Sequence, residues 1–156
     1  MNELAANVVK KLKRKKMTLS TAESITGGGL AQAITDIAGS SEVFLGGVVS
    51  YSDKSKTTLL GVSSAVLRKQ TAVSEEVATQ MAEAIRKELK SDFGIATTGV
   101  AGPGKAYGQK AGTVWVAIAS KRETVTIALA LGGDRQAVRN STIESALATF
   151  ERILSQ

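Results

Sequence analysis

The chain contains no histidine and no cysteine among its 156 residues. These absences limit the chemistry that an active site could use. They exclude Ser-His-Asp and Cys-His nucleophilic catalysis, and also metal sites that depend on imidazole or thiolate ligands. Because no disulfide can form, the composition fits a reducing compartment, and we expect a cytoplasmic protein.

Aromatic residues are scarce and long apolar runs are missing. Aromatic side chains make up 4% of the chain, and no apolar run reaches the roughly 18 residues of a transmembrane helix. The first residues also lack the basic-then-apolar order of a signal peptide. We therefore expect no membrane association. With 43% apolar and 22% charged residues, the chain predicts one domain over residues 1–156 with a substantial core.

The positive charge is concentrated in one short run. The net charge of +6 equals the contribution of six basic residues in that run, Lys10, Lys11, Lys13, Arg14, Lys15 and Lys16. A nucleic-acid-binding surface is expected to spread its basic residues over a face and to carry aromatic residues for stacking, and none lies near this run. We interpret the run as a solvated helix end. Nucleic acid is thus not the expected partner, although salt-sensitive DNA binding through this run is a rival function.

Apolar periodicity predicts alternating helices and strands. Helical spacing is found in residues 3–14 and 26–38, after the N-cap residue Ser74, and after the N-cap residue Asp134. Strands are predicted at residues 17–22, 43–51 and 93–97, and a hairpin at 113–119 and 124–131. This order predicts an α/β fold with helices on both faces of a mostly parallel mixed sheet.

Three loops follow predicted strands, and parallel strands would bring them to one edge, where α/β folds bind ligands. The first loop is a glycine-rich junction between a strand and a helix. Its backbone amides suit an anion or oxyanion, and Ser24 could be a nucleophile there. Alternatively, Ser24 or Thr26 only caps the helix while the glycines form the turn. Thr26 is the better candidate for the cap, which would leave Ser24 free to react.

A base for Ser24 would have to be a lysine, a carboxylate or a tyrosine. The second loop contains Lys54 and Lys56, together with Tyr51, which could relay the proton. A lysine has a usual pKa of about 10.4 and acts as a base only when burial or a nearby cation lowers that pKa. The two lysines could lower each other's pKa, or both could be solvated. The residues alone leave the choice between them open.

Two further segments could contact a ligand. The third loop, residues 97–104, offers backbone donors and contains the only proline of the chain, but it could equally be an ordinary surface loop. Arg135 and Arg139 lie one turn apart in the last predicted helix and could hold a phosphate. They could also pair with carboxylates such as Asp134 or contact another subunit.

Five motifs in this order resemble the CinA C-terminal-domain family, which includes stand-alone nicotinamide-mononucleotide amidohydrolases. They are Thr-Ala-Glu-Ser-x-Thr-Gly-Gly at 21–28, Tyr-Ser-x-x-x-Lys at 51–56, Thr-Gly-Val-Ala-Gly-Pro at 98–103, Gly-Thr-Val-Trp-Val-Ala at 112–117 and Gly-Asp-Arg-x-x-Val-Arg at 133–139. The resemblance extends from about residue 5 to about residue 154. Each motif alone is weak, but five in order over one domain are specific.

The resemblance implies a three-layer α/β/α sandwich that hydrolyses the carboxamide of nicotinamide mononucleotide, without metal or cofactor, to nicotinic acid mononucleotide and ammonia. By position, Ser24 would be the nucleophile, Lys56 the base and Tyr51 an assisting residue. The expected substrate-binding residues are Thr26, Gly27, Gly28, Thr98, Gly99, Gly102, Arg135 and Arg139. A homo-oligomer, dimeric or larger, is also expected. The alternative is a non-catalytic nucleotide-binding or regulatory module of the same fold.

Two departures from the family pattern bear on these expectations. Position 25 is isoleucine where the family commonly has cysteine, and this side chain need not react. The loop at 104–108 is shorter and more basic than the family pattern, which concerns substrate affinity more than the chemistry. Two-domain members of the family also carry a pyrophosphatase-like domain, for which we expect no room in this chain, and hence no metal-dependent pyrophosphatase activity.

Overall fold

The computed structural model describes residues 2–156 and shows a five-stranded sheet flanked by helices. The strands are β1 (Leu19–Glu23), β2 (Phe44–Val49), β3 (Phe93–Gly99), β4 (Thr113–Ala119) and β5 (Thr124–Ala130). The helices are α1 (Asn2–Lys15), α2 (Gly29–Thr35), α3 (Asp53–Leu60), α4 (Ser64–Gln70), α5 (Glu75–Glu88) and α6 (Arg135–Ile153), with a 3₁₀ turn at Ser40–Glu42. The predicted α/β class is confirmed.

The strand order in the sheet is β2-β1-β3-β4-β5. β1 runs parallel to both β2 and β3, whereas β4 is antiparallel to its neighbours β3 and β5. Only β4 therefore points against the other strands, which agrees with a mostly parallel mixed sheet. The hairpin predicted at 113–119 and 124–131 is confirmed as β4 and β5.

Helices cover both faces of the sheet. Alternate residues of each strand point to opposite faces, so each strand contributes side chains to two cores. Ile95 packs in the core beneath α1, α2 and α6, while its neighbour Ala96 packs in the core beneath α3, α4 and α5. The second face is rich in alanine, so α5 approaches the sheet closely. At Gly94 a Cβ atom would lie only 2.3 Å from the carbonyl oxygen of Ala82 in α5. These two packed faces give the three layers that the family resemblance implied.

The helix ends agree with most of the sequence signals. The side chain of Ser74 accepts a hydrogen bond from the amide of Val77, and that of Asp134 accepts one from the amide of Ala137, as N-cap residues do. The basic run lies at the C-terminal end of α1, as interpreted, but it is solvated only in part. Lys11 and Lys13 are half-buried and form ion pairs with Glu151 and Glu42, whereas the other four basic residues are exposed. Within residues 2–156, no helix is both long and apolar enough to cross a bilayer.

The chain between residues 26 and 70 differs from the predicted pattern. α2 begins at Gly29 rather than at residue 26, because Gly27 and Gly28 adopt positive φ angles of 58° and 97° and form a turn. Two short helices, α3 and α4, follow β2 and were not predicted. Their apolar residues are too few for a clear helical period. Leu60 and Leu67 are the hydrophobic residues that these helices bury.

The ends of β1, β2 and β3 meet at one edge of the sheet, as predicted. The amide of Ser24, after β1, donates to the carbonyl of Thr97 in β3 at 2.9 Å, and the amide of Ser50, after β2, donates to the carbonyl of Glu23 at 2.8 Å. These bonds extend the parallel pairing by one residue beyond β1. The loops after the three strands are thereby brought side by side.

Candidate active site

Ser24 and Lys56 are in direct contact at this edge. The Nζ atom of Lys56 donates to the Oγ atom of Ser24 at 3.0 Å. The same ammonium or amine group also donates to the carbonyl oxygen of Ser50 at 2.8 Å and lies 3.5 Å from that of Tyr51. Lys56 is 1% exposed and Ser24 is 8% exposed. The hydroxyl thus lies between a buried lysine and the surface.

The start of α3 decides which lysine reaches Ser24. Ser52 and Ser55 form a capping box, in which the amide of Ser55 donates to the Ser52 hydroxyl and the amide of Ser52 donates to the Ser55 hydroxyl, both at 3.1 Å. Residues two apart in a helix point to nearly opposite sides. Lys56 therefore points into the protein, whereas Lys54 is exposed and lines a separate surface depression.

Burial lowers the pKa of Lys56 below its usual 10.5, and the carboxylate of Asp53 partly opposes this effect. The expected mutual effect of Lys54 and Lys56 is not the cause. The three acceptors around Nζ are a hydroxyl and two carbonyl oxygens, all uncharged. Within residues 2–156 no carboxylate is hydrogen-bonded to Nζ, so no direct ion pair offsets the loss of hydration that lowers the pKa of Lys56.

The cap of α2 is the carboxylate of Glu23, so the predicted cap by Thr26 is wrong. Oε2 of Glu23 accepts from the amides of Gly28 and Leu30 at 3.1 and 2.9 Å, and Oε1 accepts from the amide of Ala31 at 2.8 Å. The Thr26 hydroxyl donates to Oε2 at 2.6 Å instead of accepting from the helix. Since Glu23 occupies these amides, the N-terminus of α2 is not open to a substrate anion.

The turn that carries Ser24 is also held from the side of α6. Arg139 donates to the carbonyl of Ile25 at 3.2 Å and to that of Thr26 at 2.9 Å. Within residues 2–156 the amide of Ile25 makes no hydrogen bond, and Ile25 lines the pocket in front of Ser24. An amide directly after a nucleophile is a common oxyanion donor, so this N–H is available for that task.

A pocket of about 160 Å³ opens in front of Ser24. Its lining comes from the three loops, from the segment between the third loop and β4, and from the start of α6. The lining residues are Ser24, Ile25, Tyr51, Gly99, Val100, Ala101, Gly102, Pro103, Gly104, Ala106, Tyr107 and Arg135. Of the residues predicted to bind substrate, only Gly99, Gly102 and Arg135 belong to this lining, together with Ser24 and Tyr51. Lys56 lies behind the lining and contacts it through the hydrogen bond to Ser24.

The other predicted binding residues lie outside the pocket lining. Thr98 is buried and donates to the carbonyl of Ala72 at 2.7 Å, while Gly27 and Gly28 form the turn before α2. Thr26 and Arg139 hold that same turn in place. Their direct contact with substrate stays a prediction, and in the structure each of them supports a wall of the site.

Arg135 bridges two of the loops at the pocket. One guanidinium nitrogen donates to the carbonyl of Gly102 and the other to the phenol oxygen of Tyr51, both at 2.7 Å. The phenol of Tyr51 is 56% exposed and bonds to Arg135 rather than to Ser24 or Lys56. The link between Tyr51 and the lysine runs through the backbone carbonyl of Tyr51.

Comparison with known proteins identifies the relatives of this chain. The CinA C-terminal domain family matches residues 1–154. The chain belongs to this family. A CinA-like protein of Synechococcus sp. (strain RCC307) is 50% identical over 119 residues, which are 76% of this chain and 28% of that protein. A CinA-like protein of Frankia casuarinae is 42% identical over 144 residues, 92% of this chain and 33% of that protein. The chain spans about a third of the length of the curated relatives it matches.

Solved CinA structures agree with the fold over nearly the whole chain. The competence damage-inducible protein A (ComA) of Klebsiella pneumoniae superposes with a TM-score of 0.97 at 35% identity, covering 99% of this chain and 97% of that one. The competence/damage inducible protein CihA of Agrobacterium tumefaciens gives a TM-score of 0.94 at 34% identity, covering 99% and 95%.

Sequence reasoning missed three residues of this CinA domain's site. Glu23 lies between strand and helix, where an acid followed by glycines could have been read as a cap. Asp53 acts on Lys56 through its charge, and Tyr107 lines the pocket from the loop before β4. Within residues 2–156, no three acidic side chains lie together as a metal site would require.

Proposed function

We propose that this CinA domain hydrolyses the carboxamide of nicotinamide mononucleotide to nicotinic acid mononucleotide and ammonia, with Ser24 as nucleophile and Lys56 as base. The contact between Lys56 Nζ and Ser24 Oγ carries the proposal. A buried lysine with a lowered pKa is what a serine needs when the chain has no histidine. The choice of substrate comes from the family resemblance.

In the acylation step, Ser24 Oγ attacks the carboxamide carbon as neutral Lys56 takes the hydroxyl proton. The resulting ammonium is held by the carbonyls of Ser50 and Tyr51, which already accept hydrogen bonds from Nζ. These acceptors stabilise the charged form of Lys56 once it appears. The lysine then returns a proton to the departing amine, so ammonia leaves and a nicotinoyl ester remains on Ser24.

The negative charge on the carbonyl oxygen needs donors that are already in place. The amide of Ile25 is the candidate, because it has no partner within residues 2–156 and belongs to the turn held by Glu23 and Arg139. One such donor typically contributes about 3 kcal/mol to transition-state stabilisation. In the second half of the reaction, Lys56 activates a water molecule that hydrolyses the ester.

The phosphate of the substrate requires a cation at the pocket. Among residues 2–156, Arg135 is the only charged side chain in the lining, and its two donors now contact the neutral groups of Gly102 and Tyr51. A phosphate is a stronger acceptor than either, so it would take over these hydrogen bonds. The N-terminus of α2 is no alternative, because Glu23 occupies it.

The test is release of ammonia from nicotinamide mononucleotide by the purified protein. Ser24→Ala should lower kcat by at least about 10⁴-fold because it removes the nucleophile, and Lys56→Ala should lower kcat by about 10²–10⁴-fold, the usual effect of losing a general base. Lys54→Ala is the matched control, since Lys54 is on the same helix but exposed, and it should retain near-native turnover. If Lys54→Ala lost as much activity as Lys56→Ala, the assignment of the base would be wrong.

The same experiment separates catalysis from binding alone. A non-catalytic module would bind nicotinamide mononucleotide in calorimetry and release no ammonia. That result would contradict the proposed hydrolysis and favour the alternative function.

A further inference from the structure

The loop before β4 presents a tyrosine to the pocket in an unusual way. Ala106 and Gln109 exchange backbone hydrogen bonds of 3.1 and 2.9 Å around Tyr107 and Gly108. Both central residues have positive φ angles, 53° and 72°, as in a type I′ turn. Such turns favour asparagine or glycine at the first central position, so local turn chemistry does not explain the tyrosine. Backbone conformations of this kind are found at ligand-binding sites, and this one lies at the pocket that contains Ser24.

The loop is also tied down behind this turn. The side-chain amide of Gln109 donates to the carbonyl of Val73 at 3.3 Å, which links the turn to the segment before α5. The backbone of the turn is therefore anchored to the body of the protein. Tyr107 remains 47% exposed and lines the pocket that contains Ser24.

Tyr51 and Tyr107 are the only tyrosines of the chain, and both line this pocket. Within residues 2–156, the close pair of aromatic rings is Phe93 with Phe150 in the core. The two tyrosines are thus not stacked on each other, and they are 56% and 47% exposed. Aromatic faces attract cations because of the ring quadrupole.

Two opposite charges act on the two tyrosines. Among residues 2–156, the one charged side chain in the lining is Arg135, whose guanidinium is held on the Gly102 carbonyl and the Tyr51 phenol, so a cationic ring is expected on the Tyr107 side of the pocket. Burial, the charge of Asp53 and the nearby Tyr51 raise the pKa of Tyr107 above its usual 10.0. Tyr107 is therefore an uncharged phenol at neutral pH, and Asp53 adds negative potential on its side of the pocket.

We propose that Tyr107, together with Tyr51, recognises the positively charged aromatic ring of the substrate through its ring face. The pocket would then select cationic aromatic carboxamides over neutral ones of the same shape. Tyr107 would act on specificity, while Ser24 and Lys56 carry out the chemistry. This inference rests on the proposed function for the identity of the ligand.

The probes are nicotinamide mononucleotide and its reduced dihydro form, which differ in the charge of the ring. Binding is measured by calorimetry in a Ser24→Ala background, which prevents turnover. The main variant is Tyr107→Asn, because asparagine suits the type I′ turn and removes the ring without disturbing the loop. Tyr107→Phe is the conservative variant, since it keeps the ring and removes only the hydroxyl.

Tyr107→Asn should weaken binding of the cationic form roughly 3- to 30-fold, the range of one cation–π contact. Binding of the neutral form should change by less than about 2-fold, and Tyr107→Phe should resemble the native residue. Equal losses for both forms would overturn the proposal, as would an unchanged affinity in Tyr107→Asn or a loss in Tyr107→Phe as large as that in Tyr107→Asn.

The ammonia assay on the native chain keeps this test separate from the proposed hydrolysis. If the chain released no ammonia but bound the cationic form better through Tyr107, the hydrolysis would be wrong and the recognition right. If neither form bound, the inference about Tyr107 would be refuted whatever the ammonia assay showed.

Discussion

Lys56 Nζ lies 3.0 Å from Ser24 Oγ, and its remaining hydrogen bonds go to backbone carbonyls rather than to a carboxylate. The contact between Lys56 and Ser24 therefore differs from a surface ion pair, in which a carboxylate would stabilise an exposed ammonium. The lysine is buried and the nearby Asp53 carboxylate compensates its charge only in part, so its proton is lost more easily. The same geometry that makes Lys56 a poor ammonium makes it a base for Ser24.

This relationship predicts the pH dependence of activity. Lys56 accepts a proton only when it is neutral, so kcat/KM should rise as the pH increases through its pKa, which burial places below 10.5. Asp53 raises that pKa, so Asp53→Asn should shift the rising limb to lower pH. The measurement is a pH–rate profile of ammonia release.

Asp36→Asn provides the control for this shift, because Asp36 is exposed and is not among the groups that act on Lys56. Its profile should coincide with that of the native chain. A limb that moved to higher pH in Asp53→Asn would contradict the assignment of Lys56 as the base.

Glu23 should be important for stability although it does not line the pocket. Its two oxygens accept from three amides and the Thr26 hydroxyl, while it is only 1% exposed. Glu23→Gln replaces one acceptor oxygen by a donor that faces amides, so we expect a loss of about 2–4 kcal/mol in the free energy of unfolding. Urea denaturation measures this loss.

The control for Glu23 is Glu88→Gln, which changes an exposed carboxylate near the end of α5. Its effect should stay within about 0.5 kcal/mol. Should Glu23→Gln prove equally mild, the carboxylate would not be the cap that holds the Ser24 turn.

Arg135 should act on the phosphate rather than on the amide. Arg135→Ala should lower kcat/KM for nicotinamide mononucleotide by about 10- to 100-fold, the usual effect of losing charge-assisted hydrogen bonds. It should have little effect on nicotinamide riboside, which lacks the phosphate. Comparing the two substrates in native and variant protein measures this difference.

Arg152→Ala is the control for Arg135→Ala, since Arg152 is an exposed arginine near the other end of α6. It should leave both substrates unaffected. Equal losses for the two substrates in Arg135→Ala would show that Arg135 shapes the pocket through Tyr51 and Gly102 instead of binding phosphate.

The close packing of α5 on the sheet gives a prediction outside the site. A Cβ atom at Gly94 would lie 2.3 Å from the carbonyl oxygen of Ala82, so Gly94→Ala should destabilise the protein by about 1–3 kcal/mol. At Gly132 no atom of residues 2–156 lies within 4 Å of an added Cβ, and Gly132→Ala should be nearly neutral. Thermal unfolding of the two variants checks this pair, and similar melting temperatures would contradict the close approach.

Several expectations remain outside what the fold and the comparisons address. The extent of a single domain over residues 1–156 stays a prediction, as do a cytoplasmic location and a homo-oligomeric state. Light scattering on the purified chain would measure the last of these directly.

The sequence predicted the elements whose apolar period is strong. The β4–β5 hairpin was found with nearly its observed bounds, and α5 and α6 were found at their N-caps Ser74 and Asp134. Helices α3 and α4 were missed because short amphipathic segments contain too few buried residues to show a period. Their position depends on packing against α5, which is a tertiary effect.

By itself, the sequence determined what chemistry was possible. A chain without histidine or cysteine could activate Ser24 only through a lysine, a carboxylate or a tyrosine, and its glycine junction placed Ser24 at the end of a strand. The residues without the family resemblance left Lys54 and Lys56 open, and the tertiary structure decided that Lys56 meets Ser24. The structure alone decided that Glu23 and not Thr26 caps α2. The physical reason is that burial and contact depend on residues distant in the chain. The turn at Ser52 aims Lys56 inward, and the folded sheet then removes it from water.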